Sequence, residues 1–254
     1  IVKFELDGLD AVTKTANVVL NVSNRVDAAM VVATMAEAIT VTAEQSGNTI
    51  SLQVKKPDGL QRTFGFKVSP SARIVASVPR RCNIVARSGD GTIAIERVEG
   101  RIELHTDDGP VKGRDLTGTL RVTTGDGSLR FEDVNGSLDL ESGDGGARVS
   151  GRLQALTLKT GDGSIEVRAE DGSAMTADWE VRTGDGGLRI ELPADFDANL
   201  DASTGDGSVR VRGFGEPAKA GDSDSPGEMT RPLGTGGRRL RLRSDSGTII
   251  IKAL

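Results

Sequence analysis

The sequence predicts an all-β, single-stranded parallel β-solenoid, a β-helix or β-roll with about 18-residue coils, entered through an irregular β-rich N-terminal cap. Three observations carry that expectation. Asp-Gly recurs at Asp90, Asp108, Asp126, Asp144, Asp162, Asp185 and Asp206, with Ser246-Gly247 as a last variant, and the first four intervals are each 18 residues. Each mark is preceded and followed by a short stretch of period-two alternation, the signature of a half-buried strand. The composition, 33 Gly with six Phe, one Trp and no Tyr, offers little aromatic mass for an ordinary two-layer core but suits a narrow interior. A unit this short cannot bury its apolar face alone, so successive units must stack about 4.8 Å apart. A right-handed coil is the expected hand.

Along the chain, residues 1–80 contain β-rich runs at 17–23, 37–43 and 48–54 without the Asp-Gly period. They read as irregular first coils that cap the stack, because an exposed end coil would template aggregation. Val26 to Ala38 reads equally well as a short helix or as a strand. Residues 81–212 form the regular repeat. Three residues after each mark stand Ile93, Val111, Leu129, Ala147, Ile165, Leu188, Val209 and Ile249; six before it stand Ile84, Ile102, Leu120, Leu138, Leu156, Trp179, Leu200 and Leu240. These columns point inward, and so do the apolar residues two positions further along each strand. Residues 213–237, rich in Gly, Pro, Ser and Asp, read as a flexible inserted loop. Residues 238–254 return to the pattern as the final coil.

Two further columns have a structural reading. A Ser or Thr stands two residues before every mark, at Ser88, Thr106, Thr124, Ser142, Thr160, Thr183, Thr204 and Ser244. Parity turns these hydroxyls inward, where they can satisfy turn backbone. The Gly after each mark is expected to serve a tight turn through positive φ.

Charge and composition exclude several function classes. Net charge is −5, with 32 Lys and Arg against 37 Asp and Glu and no basic stretch interleaved with aromatic residues, so no nucleic-acid partner is expected. No run approaches the 18 or so apolar residues of a membrane helix. His105, the only histidine, alternates with Leu104 onto an outer face beside Glu103, which leaves a serine-type triad without its base. Cys82 falls in the inward phase as a small buried thiol rather than a nucleophile. Paired acids such as Asp107-Asp108 would suit a β-helical polysaccharide enzyme, but without aromatic sugar platforms that reading ranks last. No catalytic residue and no cofactor are expected.

Two binding readings remain. The ladder formed by Asp90, Asp108, Asp126, Asp144, Asp162, Asp185 and Asp206 would attract cations, Ca²⁺ above all. However, the calcium nonapeptide motif has an Asp in every nine residues, twice the density found here. Extra residues at about 169–176, 193–197 and 214–237 all fall between the two strands of a coil and so emerge on one side, where repeat proteins commonly place binding loops. Met175, Phe196, Phe214, Met229 and Leu233, in or beside these loops, are the candidates for contact with a protein or cell-surface glycan. The outward, partly basic column of Lys112, Arg130, Arg148, Glu166, Arg189 and Arg210 offers a second attraction, for acidic glycans.

The segment Val78-Pro-Arg-Arg-Cys-Asn-Ile-Val-Ala-Arg-Ser-Gly-Asp-Gly-Thr-Ile, followed by Val98-Glu-Gly and repeated Thr-Gly-Asp-Gly-Ser, resembles a bacterial family of β-strand-repeat domains labelled adhesins, whose function is undefined. It is also similar to head domains of autotransporter adhesins. The resemblance runs over residues 15–254. It implies an exported, periplasmic or cell-surface β-solenoid, with any signal peptide already removed, and supplies no catalytic residues. The expected function is thus a non-enzymatic extracytoplasmic scaffold or adhesion module. The alternative is an envelope-stress or signalling accessory that binds a protein or cell-wall ligand.

Overall fold

The computed structural model describes residues 2–7, 15–22, 31–35, 40–46, 49–55, 72–214 and 225–254. Among these the regular elements are strands, with no helix and hence none long and apolar enough to cross a membrane. The chain divides into two units, Ile1–Gly127 and Ser128–Leu254.

In the first unit, β7 (Cys82–Ser88), β8 (Thr92–Glu96), β9 (Glu99–Thr106) and β10 (Val111–Thr124) pair in parallel. Partners stand 18 residues apart in sequence: Ile84 with Ile102, Leu104 with Val122, Ile93 with Val111. Because the side-chain period of a strand is two, this register puts like residue on like residue. The columns Ile84/Ile102/Leu120 and Ile93/Val111 are therefore continuously buried. Where the chain passes from one ladder to the other, Arg97 and Asp115 take left-handed backbone, with φ of 56° and 51°.

The described strands within residues 1–80 pair antiparallel and do not add parallel coils. The free side of β7 is taken by β2 (Thr15–Val22) and that of β8 by β1 (Val2–Asp7), both antiparallel, with Leu20 opposite Ile84 and Phe4 opposite Ile95. Beyond them β5 (Thr49–Lys55) and β4 (Thr40–Ser46) extend one sheet, and β6 (Ala72–Val78) and β3 (Val31–Met35) the other, again antiparallel. Without the 18-residue Asp-Gly period nothing returns the chain to the same direction each time. A two-residue Gly47-Asn48 link between β4 and β5 instead suits a hairpin. Val31–Met35 is strand, and the rest of Val26 to Ala38 lies outside the described residues.

The second unit contains β11 (Leu129–Ser142), β12 (Ala147–Thr160), β13 (Ile165–Ala169), β14 (Trp179–Thr183) and β15 (Leu188–Leu192), all paired in parallel in the expected columns. The two expectations for its C-terminal part need correction. Within 213–237, β17 (Ser225–Leu233) is a strand, antiparallel to β16 (Ala198–Arg212), and residues 215–224 lie outside the described set. The segment 238–254 is not the last layer: β18 (Arg239–Ser244) lies between β14 and β16, and β19 (Ile249–Ala253) between β15 and β16, parallel on both sides. Trp179, Leu240 and Leu200 are thus successive members of one column.

The hydroxyl column is buried at all eight positions. Thr160, Thr183, Thr204 and Ser244 donate to the carbonyls of Gly145, Gly163, Gly247 and Gly186 at 2.7–2.9 Å. Thr106, Thr124 and Ser142 accept from the glycine amide three residues on, at 3.1–3.2 Å. Seven of the eight hydroxyls thus replace ladder bonds the turn has lost, whereas Ser88 Oγ is buried without a hydrogen-bond partner. The glycine column corrects its expected reason, since Gly109, Gly127, Gly163, Gly186, Gly207 and Gly247 do not have positive φ. Their role is close approach: a β-carbon on Gly109 or Gly127 would come 2.6 Å from the carbonyl carbon of the glycine one layer away.

Candidate functional site

The three insertions converge in the second unit. The segments 172–175, 195–197 and 236–238 enclose an open pocket of about 450 Å³, with Met175, Asp195, Asp197 and Arg238 around it and Phe196 as its floor. Each wall is tied to the strands. The Ser173 hydroxyl donates to Glu170 O at 2.7 Å and accepts from Leu153 N–H at 3.0 Å, and the Ala174 and Thr176 amides continue onto Leu153 O and Gln154 O. Asp197 Oδ1 accepts from Thr235 N–H at 2.6 Å, Asn199 Nδ2 donates to Gly237 O at 2.5 Å, and Asp178 Oδ1 accepts from Arg239 N–H at 3.0 Å. Gly172 and Gly236, with φ of 87° and 81°, supply the left-handed corners that let these walls turn so tightly.

Of the five contact candidates, only two are available to a partner. Met175 is half-buried on the pocket wall, and Met229 is half-buried on β17 opposite Ala202. Phe196, Phe214 and Leu233 are buried, at 3%, 7% and 0% exposure, and so are not surface contacts. The reason for Phe196 is Trp179: the two rings lie 5.2 Å apart, tilted by 50°, so the 193–197 insertion supplies core for the one indole in the chain. The Trp179 Nε1–H donates to Gln154 O at 3.2 Å. Sequence reasoning missed Asp195, Asp197 and Arg238, because they meet only once 236–238 is brought back beside 193–197 by the inserted β18.

Asp108, Asp126, Asp144, Asp162, Asp185 and Asp206 are exposed on their turns and Asp90 is half-buried. Gly247 packs against Gly186, and Gly207 against Gly247, which sets Ser246 between Asp185 and Asp206 and interrupts the carboxylate ladder. Among the described residues, no three His, Cys, Asp or Glu side chains come together to hold a metal ion. His105 is exposed, 3.6 Å from Asp107. Cys82 is a free, buried thiol whose burial pushes its pKa up to about 11, so it is a poor nucleophile near neutrality.

One family profile, that of Toastrack DUF4097, matches residues 8–252. The chain belongs to the Toastrack DUF4097 family. Toastrack domains are β-repeat domains of unknown function with a β-solenoid-like fold, and the match carries no adhesin assignment. No curated protein and no solved structure matches the chain. For this Toastrack chain the pocket at 172–175, 195–197 and 236–238 is accordingly read from its own chemistry. Its lining combines the half-buried thioether of Met175 with the charged residues Asp195 and Arg238 above the buried Phe196, which suits a ligand carrying an apolar group beside charged ones.

Proposed function

We propose that this chain is a non-enzymatic, extracytoplasmic scaffold and adhesion module that holds a protein or glycan partner in the insertion pocket of its second unit. In this reading the strands wind right-handed with about 18 residues per coil, and the three insertions decorate one side of that coil. The observation that carries the proposal is the pocket itself. Three insertions far apart in sequence meet in one place, and each is pinned to the strand stack by side-chain or backbone hydrogen bonds. A pre-formed site loses little conformational entropy on binding, which is how rigid repeat scaffolds use their loops.

The test combines location with binding. Cells expressing the full-length gene product are treated with a membrane-impermeant lysine label, and the purified chain and its Met175→Asp variant are used to capture partners from envelope extract. Labelling of intact cells, with a captured species that Met175→Asp loses while Trp179 fluorescence stays native, is the expected result. Absence of labelling on intact cells and in opened periplasm removes the extracytoplasmic reading. Equal capture by both forms removes the pocket.

A further inference from the structure

The outer face of the sheet formed by β11, β12, β13, β15, β19 and β16 carries seven cations, Arg130, Arg148, Arg168, Arg189, Arg210, Arg212 and Lys252, against three carboxylates, a formal net charge of +4 on one face of a chain whose total is −5. The carboxylates are held in three ion pairs, Arg130–Glu132, Arg148–Glu166 and Arg168–Glu191, at 2.8, 2.6 and 3.5 Å. Lys252 stands between Glu191 and Arg212, and Arg189 between Glu166 and Ile250. Like charges side by side on a sheet cost stability. Arg189, Arg212 and Lys252 have no carboxylate partner among the described residues.

Beside this row runs a trough of about 560 Å³. Its floor is the outward position two residues after each turn mark, occupied by Ser128, Gly146, Ser164, Gly187 and Thr248, and its wall includes Arg130, Arg148, Glu166, Arg189 and Ile250. Five layers at about 4.8 Å make it roughly 19 Å long. We infer that this trough binds a linear carboxylated polysaccharide laid along the stacking direction. Guanidinium forks match carboxylates in bidentate fashion, and the Ser and Thr floor offers hydroxyls to sugar hydroxyls. The surface is distinct from the insertion pocket and deepens the proposed function by naming a glycan class.

The test uses polygalacturonate as probe, in affinity electrophoresis at low and at raised salt, with dextran and polyphosphate as comparisons. The wild-type chain is expected to be retarded by polygalacturonate, less so at raised salt, and not by dextran. Arg189→Gln/Arg212→Gln/Lys252→Gln should weaken binding about tenfold, and Arg189→Glu/Arg212→Glu/Lys252→Glu should weaken it further. Trp179 fluorescence reports that each variant is folded. No retardation by polygalacturonate, retardation by polyphosphate alone, or equal retardation of wild type and the glutamine variant overturns the inference. Met175→Asp should keep polygalacturonate binding, so failure of the pocket proposal and failure of this one give different results.

Discussion

Gly186 and Gly187 are adjacent in sequence, yet the fold asks opposite things of them. A β-carbon on Gly186 would sit 2.5 Å from the carbonyl carbon of Gly163 and closer still to its oxygen, whereas on Gly187 the nearest atom would be Thr248 O at 3.4 Å. Ordinary carbon contacts begin near 3.5 Å, so Gly186→Ala demands a shift of about 1 Å between layers held together by hydrogen bonds. That shift strains the bond from Ser244 Oγ to Gly186 O, 2.9 Å, and the neighbouring bond from Gly184 N–H to Gly161 O. Two bonds at about 1 kcal/mol each, with about 1–3 kcal/mol for overpacking, put the loss at roughly 3–5 kcal/mol. For a chain of this length that lowers the melting temperature by about 10 °C. Gly187→Ala fits without a clash and without left-handed backbone, so it should be neutral or up to about 1 kcal/mol stabilising through the unfolded state. Trp179, the only tryptophan and 1% exposed, sits in the strand leading into this turn, so its fluorescence follows thermal unfolding of the second unit. Equal melting temperatures for the two variants, or a larger loss for Gly187→Ala, would refute close approach as the reason for the column.

Two further outcomes follow from the same structure. Cys82 should resist alkylation by iodoacetamide in the folded chain at pH 8.5 and react rapidly in denaturant. Because the folded thiol ionises near 11 and the model thiol at 9.0, the unfolded state releases its proton first. Stability should therefore fall as pH rises from 9 to 11, by at most about 1.4 kcal/mol per unit; an unchanged denaturant midpoint for wild type relative to Cys82→Ala across that window would contradict it. Replacing Pro226 and Pro232 on β17 together with Val should leave monomer stability within about 1 kcal/mol and raise the rate of thioflavin-positive aggregation, read at matched concentration; an unchanged rate would remove the protective role given to β17.

Much of the strand stack is legible in the sequence because its two determinants are local. Period-two alternation names the inward positions, and the Asp-Gly mark sets which residue of one layer meets which residue of the next. Thr106 and Thr183 are foreseeable as buried hydroxyls from parity alone. The reason for the glycines is not, since residue identity does not tell positive φ from close approach. The antiparallel pairing of β1 and β2 is equally hidden, because Leu20 and Phe4 alternate as they would in a parallel strand. The insertion pocket is half legible. That 169–176, 193–197 and 214–237 share a side follows from their place in the repeat. The burial of Phe196 does not, because it depends on one oversized neighbour, Trp179, that needs a partner ring.

The order of layers is the deepest of these ambiguities, and its resolution has a physical motive. Trp179, Leu240 and Leu200 belong to one column, as do Leu188, Ile249 and Val209, so β18 and β19 match β14 and β15 as well as they match β16. A shift by one whole layer leaves every inward residue inward, unlike a one-residue slip, which would turn the core out. What separates the two arrangements is the edge. With β19 outermost, Thr248-Ile-Ile-Ile would present a run of high β-propensity and no charge to any passing strand. With β19 inside, both of its edges are paired, and the outer position falls to β17, which carries Pro226 and Pro232. Proline lacks the amide hydrogen and within sheets is confined to edge strands, so β17 suits the outer position. Threading the C-terminal segment back into the stack thus exchanges an adhesive edge for a blunted one.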